Sequence, residues 1–144
     1  MKKWSLSVWL ARVLIGIVFL FNVQCAVLFI WQPDRFAPAY ELGGGPGRAA
    51  VVGIGILFLM WNVPYFFALL QPLRNRHSLW EAICMQVIGL AGEGLLRSRI
   101  PMEHELLRSS TLRFILFDAL GLFLLLAAML LVRFTRKHNG SLIA

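Results

Sequence analysis

Apolar residues fill four long stretches of this chain, and polar residues collect in the gaps between them. The stretches run 6–31, 49–70, 79–96 and 112–132. Each is near the ~20 residues that an α-helix needs to cross ~30 Å of hydrocarbon. They are apolar nearly all round, without the polar face that a helix shows on the surface of a soluble protein. The pattern predicts an all-α protein: an integral membrane four-helix bundle with short connections, built as a single transmembrane domain over 1–144.

The connections carry the helix-breaking residues. The first, Gln32–Gly47, holds Pro33, Pro38 and Pro46 and the run Gly43-Gly44-Gly45-Pro46-Gly47, read as a flexible turn leading into the second span. Between them Phe36, Ala37, Ala39, Tyr40 and Leu42 offer apolar contact, either to the membrane surface or to the end of the bundle. In the second connection, Gln71–Ser78, Pro72 ends one helix and Ser78 is placed to cap the next. In the third, Ser98–Ser110, Pro101 precedes a short amphipathic segment, and Ser109, Ser110 and Thr111 offer caps for the fourth span. Within the second span Pro64 frees the carbonyl of Met60, and Asn62 is near enough to satisfy the loosened backbone.

Composition agrees with a membrane setting. Of the 144 residues 59% are hydrophobic and 15% charged, more apolar surface than a soluble domain of this size can hide. The net charge is +7. The basic residues sit mainly at span ends, where Lys and Arg anchor to lipid head groups. No basic stripe interleaves with exposed aromatics, which argues against nucleic acid as a partner.

With four spans both termini share one side. That side carries Lys2, Lys3, Arg74, Arg76, Arg133, Arg136 and Lys137. The opposite side carries fewer basic residues, so the expectation is a multi-pass protein of the cell inner (plasma) membrane with both termini cytoplasmic. Trp4, Trp9 and Trp80 fall at one interface and Trp31 at the other, as an aromatic belt would place them. The first span is too long for a signal peptide and is read as a retained helix.

Charges inside hydrocarbon cost ~2.5–3.5 kcal/mol each at mid-membrane and therefore mark function or pairing. Counting ~1.5 Å per residue places Arg12, Glu81 and Asn62 ~5–10 Å from the cytoplasmic edge. The same count places Asn22, Gln24, Glu93 and Asp118 at ~20–23 Å, with Arg48, Arg97 and Arg113 just above them. In the third span Gln86, Gly89, Glu93 and Arg97 recur on one helical face. Two readings follow. In one, Arg12 and Glu81 form a structural ion pair, and the three arginines pair with Glu93 and Asp118 as glue between helices. In the other, the outer layer (Asn22, Gln24, Gln86, Glu93 and Asp118 beneath Arg48, Arg97 and Arg113) lines a pocket that binds a ligand or handles protons. Two carboxylates close together in low dielectric repel, and either a proton or an arginine must relieve them.

A metal site is not expected, because His77, His104 and His138 lie in loops or tail without ligand spacing. Haem fails for the same reason, and no other cofactor is implied. Cys25 and Cys84 differ in depth by ~15 Å, which excludes a disulfide between them and leaves two free thiols.

Arg12 before Leu14-Ile15-Gly16, Pro33 just after the first span, and Arg48 with Gly53 opening the second resemble the DoxX-like family of small bacterial four-helix membrane proteins. The likeness covers the first two spans. Where many members carry a glycine late in the first span, this chain has Asn22-Val23-Gln24-Cys25. The resemblance implies a four-helix bundle, and some relatives are named as subunits of quinol-linked oxidoreductases. The function expected from all of this is that of an accessory subunit or a binder of a lipid-like or quinone-like molecule, and not of an enzyme. The alternative is an intramembrane enzyme or proton-coupled carrier using Glu93 and Asp118. The partners expected are membrane lipids together with a larger membrane complex or further copies of the chain.

Overall fold

The computed structural model describes residues 6–140, with side chains described as far as 135. Lys2, Lys3 and Trp4, and the side chains of Arg136, Lys137 and His138, lie outside the described residues. The elements are α1 (Leu6–Trp31), a short α2 (Pro33–Phe36), a 3-10 turn (Ala37–Tyr40), α3 (Gly44–Leu70), α4 (Arg76–Arg99) and α5 (Glu105–Gly140). Helix is the form that apolar stretches must take where no water can satisfy the backbone. Four of these helices are long and apolar enough to cross a membrane, which fits a small integral membrane protein.

The bundle has a cyclic order. Helix α1 packs on α3 and α5, and α4 packs on α3 and α5, so that α1 and α4 stand on one diagonal and α3 and α5 on the other. Small residues set these seams. A Cβ on Gly55 would lie 2.9 Å from the carbonyl oxygen of Ala26 and 3.0 Å from Cβ of Phe29, so α1 and α3 meet closely only because that position is glycine. At one end of the bundle Ala11, Ile15, Val18, Ala68, Leu79 and Leu125 form a buried cluster. At the other end Phe29, Ala37 and Val51 form a second one. In lipid such contacts act through close packing rather than through expulsion of water.

Span bounds are as expected for α1 and longer than expected for the others. Helix α3 begins within the glycine run, not after it. A first turn has no intrahelical use for the N–H that Pro46 lacks. Gly47 allows the chain to turn back on Leu42, whose Cβ would lie 2.9 Å from a Cβ at that position. Helix α4 starts at Arg76, ahead of Ser78, and the amide of Asn75 donates to the carbonyl of Phe67 at 2.7 Å, closing α3 instead of opening α4. Helix α5 starts at Glu105, so Ser109, Ser110 and Thr111 lie inside it and the Thr111 hydroxyl donates to Leu107 O at 2.9 Å. Asn62 donates to Phe58 O at 2.6 Å, one turn back, and not to the carbonyl that Pro64 frees.

The first connection caps the bundle. Phe36 and Tyr40 pack on Phe29 of α1, with ring centroids 4.9 and 6.2 Å away. Tyr40 also stacks on Phe114 of α5 at 6.2 Å. Glu41 then takes a left-handed backbone, φ 56°, which reverses the chain. Its carboxylate accepts a hydrogen bond from the Leu107 N–H in the first turn of α5 at 3.3 Å and pairs with His104.

This pair has a pH signature. Hydrogen bonding and charge from Glu41 raise the His104 pKa above its ordinary 6.5. The hydrogen bond from His104 lowers that of Glu41 below its ordinary 4.5. The histidine's contribution is complete below 6.5 and is lost as pH rises through its raised value. The carboxylate's is complete above 4.5 and is lost as pH falls through its lowered value. Melting temperature in detergent is therefore expected to peak between those limits and fall by a few degrees on either side, since both groups are exposed. His104→Gln should flatten the alkaline fall. An unchanged alkaline fall in that variant would assign it to another group.

Candidate functional site

Between the two packed clusters α3 and α4 part. Near their shared turn they touch, where the Tyr65 hydroxyl reaches the Ala82 carbonyl at 3.2 Å. Beyond it, from Tyr65 back to Ile54 on α3 and from Met85 to Leu96 on α4, the space between them is a cavity of about 520 Å³. That stretch of α3 is ~16 Å long. The far wall belongs to α5 through Phe114, Phe117 and Asp118, and α1 contributes Asn22. Tyr40 of the 3-10 turn stands at the upper end. Trp61, Ile88 and Leu96 line the cavity and are also exposed, Ile88 at 71%, on the outer surface of the bundle. The mouth therefore lies on the outer surface of the candidate spans, from their middle at Trp61 and Ile88 to within a turn of the end of α4 at Leu96.

The lower end of the cavity is a hydrogen-bonded network. Tyr65 OH donates to Gln86 Oε1 at 2.6 Å. Gln86 Nε2 donates to Asp118 Oδ1 at 2.8 Å and approaches the Asp118 carbonyl at 3.3 Å. Gln86 is only 4% exposed, so both ends of its amide are committed and its orientation is fixed. Two glycines create room for this network. A Cβ on Gly89 would run into Asp118 Oδ2, and one on Gly121 would lie 2.7 Å from Gln86 Nε2. Helices α4 and α5 thus carry glycine where the partner helix carries a polar side chain.

Two enclosed acceptors on residues that line the cavity have no hydrogen-bond partner among the described residues: Asn62 Oδ1 and Glu93 Oε2. Asn62 is 4% exposed. Its Nδ2 donates one hydrogen to Phe58 O, and its Oδ1 accepts none. Buried polar atoms are rarely left unpaired in native structures, so each of these two asks for a donor.

Of the residues singled out from sequence, Asn22, Gln86, Glu93 and Asp118 come together on this cavity. Gln24 does not; it is exposed on the outside of α1, as two residues of helix (~200°) past Asn22 require. The three arginines do not roof the site. Arg48 pairs with Asp34 at 3.0 Å across the first connection. Arg97 and Arg108 donate to each other's carbonyls, with Arg108 also reaching Ile100 O at 2.7 Å. Arg113 is exposed. Tyr40 and the aromatic rings around it occupy the roof position. Arg12 and Glu81 are not brought together: their helices are diagonal, Arg12 Nε donates to Leu69 O at 3.0 Å, and Glu81 is exposed. Asn62 belongs to the cavity rather than to a separate lower layer.

Sequence reading does not bring Tyr65, Tyr40 or Thr111 to the site, which all three line: Tyr40 reads there as apolar contact and Thr111 as a helix cap. Tyr65 carried a usable signal: it follows Asn62 by three residues, on the same helical face. Among the described residues no group of His, Cys, Asp and Glu is arranged to hold a metal ion. Cys25 and Cys84 are both free. A second, smaller cavity of about 300 Å³ lies at the other end of the bundle, between α4 and α5, where the Arg133 guanidinium sits 5.3 Å over the Trp80 ring. Compared with protein-family models, curated proteins and solved structures, the chain finds no match.

Proposed function

We propose that this small integral membrane protein binds a lipid-like or quinone-like molecule, as an accessory subunit of a larger membrane complex and not as an enzyme in its own right. The DoxX-like family, the bacterial inner membrane and the cytoplasmic placement of both termini belong to the same proposal. One observation carries it: a cavity of about 520 Å³ with apolar walls, a polar lower end and a mouth at lipid level. Helices held together by polar glue alone would close on each other. This space is of the size that small-molecule sites occupy, ~300–1,000 Å³.

Gly92 provides the test. It lines the cavity, and a Cβ there would meet nothing within 4 Å. Gly92→Leu should therefore fill the cavity without displacing a helix. Protein purified in mild detergent is extracted with organic solvent, and the co-purified lipids and quinones are measured by mass spectrometry. The wild type is expected to retain one class of amphiphile near one per chain, and the variant to lose most of it. Identical extracts from the two would contradict the proposal.

The presence of Glu93 and Asp118 on one cavity favours a second reading, in which the two carboxylates pass protons in an enzyme or a proton-coupled carrier. That reading expects Glu93→Gln to fold normally and to abolish turnover or proton flux in reconstituted vesicles. Flux that survives the substitution removes it.

A further inference from the structure

The polar groups of this cavity are unbalanced in two ways. Among its lining residues two are carboxylates, Glu93 and Asp118, and none is Arg, Lys or His. Of the three arginines expected above it, Arg97 is spent on Arg108 O, Arg48 on Asp34, and Arg113 is exposed. The second imbalance is in hydrogen bonds. The donors of Tyr65, Gln86 and Thr111 are all committed within the protein. Asn22, Tyr40 and Trp61 keep polar hydrogens, while Asn62 Oδ1 and Glu93 Oε2 are enclosed acceptors with no donor among the described residues. The site therefore lacks positive charge, and no donor reaches Asn62 Oδ1 or Glu93 Oε2 among the described residues.

These two deficits discriminate among head groups. A phosphate or carboxylate would bring negative charge against Glu93 and Asp118, with no basic side chain on the wall to offset it. A carbonyl head brings acceptors alone and leaves Asn62 and Glu93 unpaired. A hydroxyl supplies one hydrogen and no charge. A primary ammonium supplies three donors and a positive charge on one atom. The walls suit it as well, since Phe58, Trp61, Phe114 and Phe117 present ring surfaces around the space, and a cation over an aromatic face is attracted to it.

Resting on the cavity-binding reading above, we infer that the occupant is an amphiphilic amine, its ammonium beside Asn62, Glu93 and Asp118 and its hydrocarbon chain leaving between Trp61 and Leu96 into the bilayer. Membrane lipids with amine head groups and lipophilic amines that partition from water share this chemistry.

The experiment compares three probes of one chain length, dodecylamine, dodecanol and dodecanoate, on the full protein in phosphatidylcholine nanodiscs at neutral pH. Saturable binding is read by thermal stabilisation, with empty nanodiscs reporting partition into lipid. Dodecylamine is expected to bind at least about tenfold more tightly than dodecanol, the scale of one charge-assisted hydrogen bond, and dodecanoate to show no saturable binding. Glu93→Gln should remove most of the amine's advantage and leave dodecanol where it was. Equal binding of amine and alcohol, or preference for the acid, overturns the amine assignment while cavity binding stands. If no probe binds saturably, or if Gly92→Leu leaves saturable binding of all of them unchanged, the cavity is not the site and both readings fall. The ranking on wild-type protein needs no variant to fold.

Discussion

Replacing Gln86 with leucine is expected to destabilise the bundle by about 2–3 kcal/mol, the cost of leaving a carboxylate and a hydroxyl in the membrane interior with fewer partners. Gln86 is the only described side chain hydrogen-bonded to both Tyr65 and Asp118, and it joins three helices at the level where α3 and α4 separate. Its loss leaves Tyr65 with the Ala82 carbonyl but takes the side-chain donor from Asp118. The two effects can be separated. Tyr65→Phe should cost less, about 1 kcal/mol, because Gln86 remains bonded to Asp118. Gln86→Leu combined with Asp118→Leu should recover part of the loss, since the orphaned acceptor goes with it. Unfolding in mixed micelles measures all three. A neutral Gln86→Leu would mean that the network is incidental to the fold.

A leucine at Gly55 is expected to cost about 3 kcal/mol or more, at the upper end of what overpacking does. Its Cβ alone would stand 2.9 Å from the Ala26 carbonyl oxygen and from Ile30 Cγ1. The first of these is helix backbone, so α1 and α3 must move apart along the most extensive seam of the bundle. Gly53, two residues earlier on the same helix, is the internal control. A Cβ there meets nothing within 4 Å, and Gly53→Leu should be close to neutral. Equal destabilisation by the two would assign the effect to helix propensity or insertion and not to the α1–α3 contact.

The fold was legible because the physics that makes it is one-dimensional. Twenty-odd apolar residues in a row have one way to satisfy their backbone in lipid, and α1 begins and ends where the apolar run does. The remaining bounds shifted because polar residues at a span end can continue a helix into the interface. Glu105–Arg108 extends α5 in this way, and Gly44–Gly47 opens α3. Half of the candidate site was legible for a similar reason: Gln86, Gly89 and Glu93 lie on one face by spacing alone, and a carboxylate in a span must face something polar.

What the sequence left hidden is which helix faces which. Arg12 and Glu81 share a depth and still lie on diagonal helices. Arg48 had a partner, Asp34, fourteen residues away across a connection that reads as a flexible turn. Tyr40 reads as apolar contact from sequence alone, whereas the structure places it and Tyr65 on the cavity. The position of a charge along the bilayer normal is written in the residue count. Its position around the bundle depends on the pairing of surfaces from distant parts of the chain.

The central claim is that the space between α3 and α4 is a binding site held open toward lipid. A density map of the protein purified from native membranes tests it most directly. The expected result is elongated density entering between Trp61 and Leu96, with its polar end within hydrogen-bonding distance of Asn62 Oδ1 and Glu93. Helices α3 and α4 closed on each other, with Trp61 and Ile88 packed across the gap and no density between them, would contradict it.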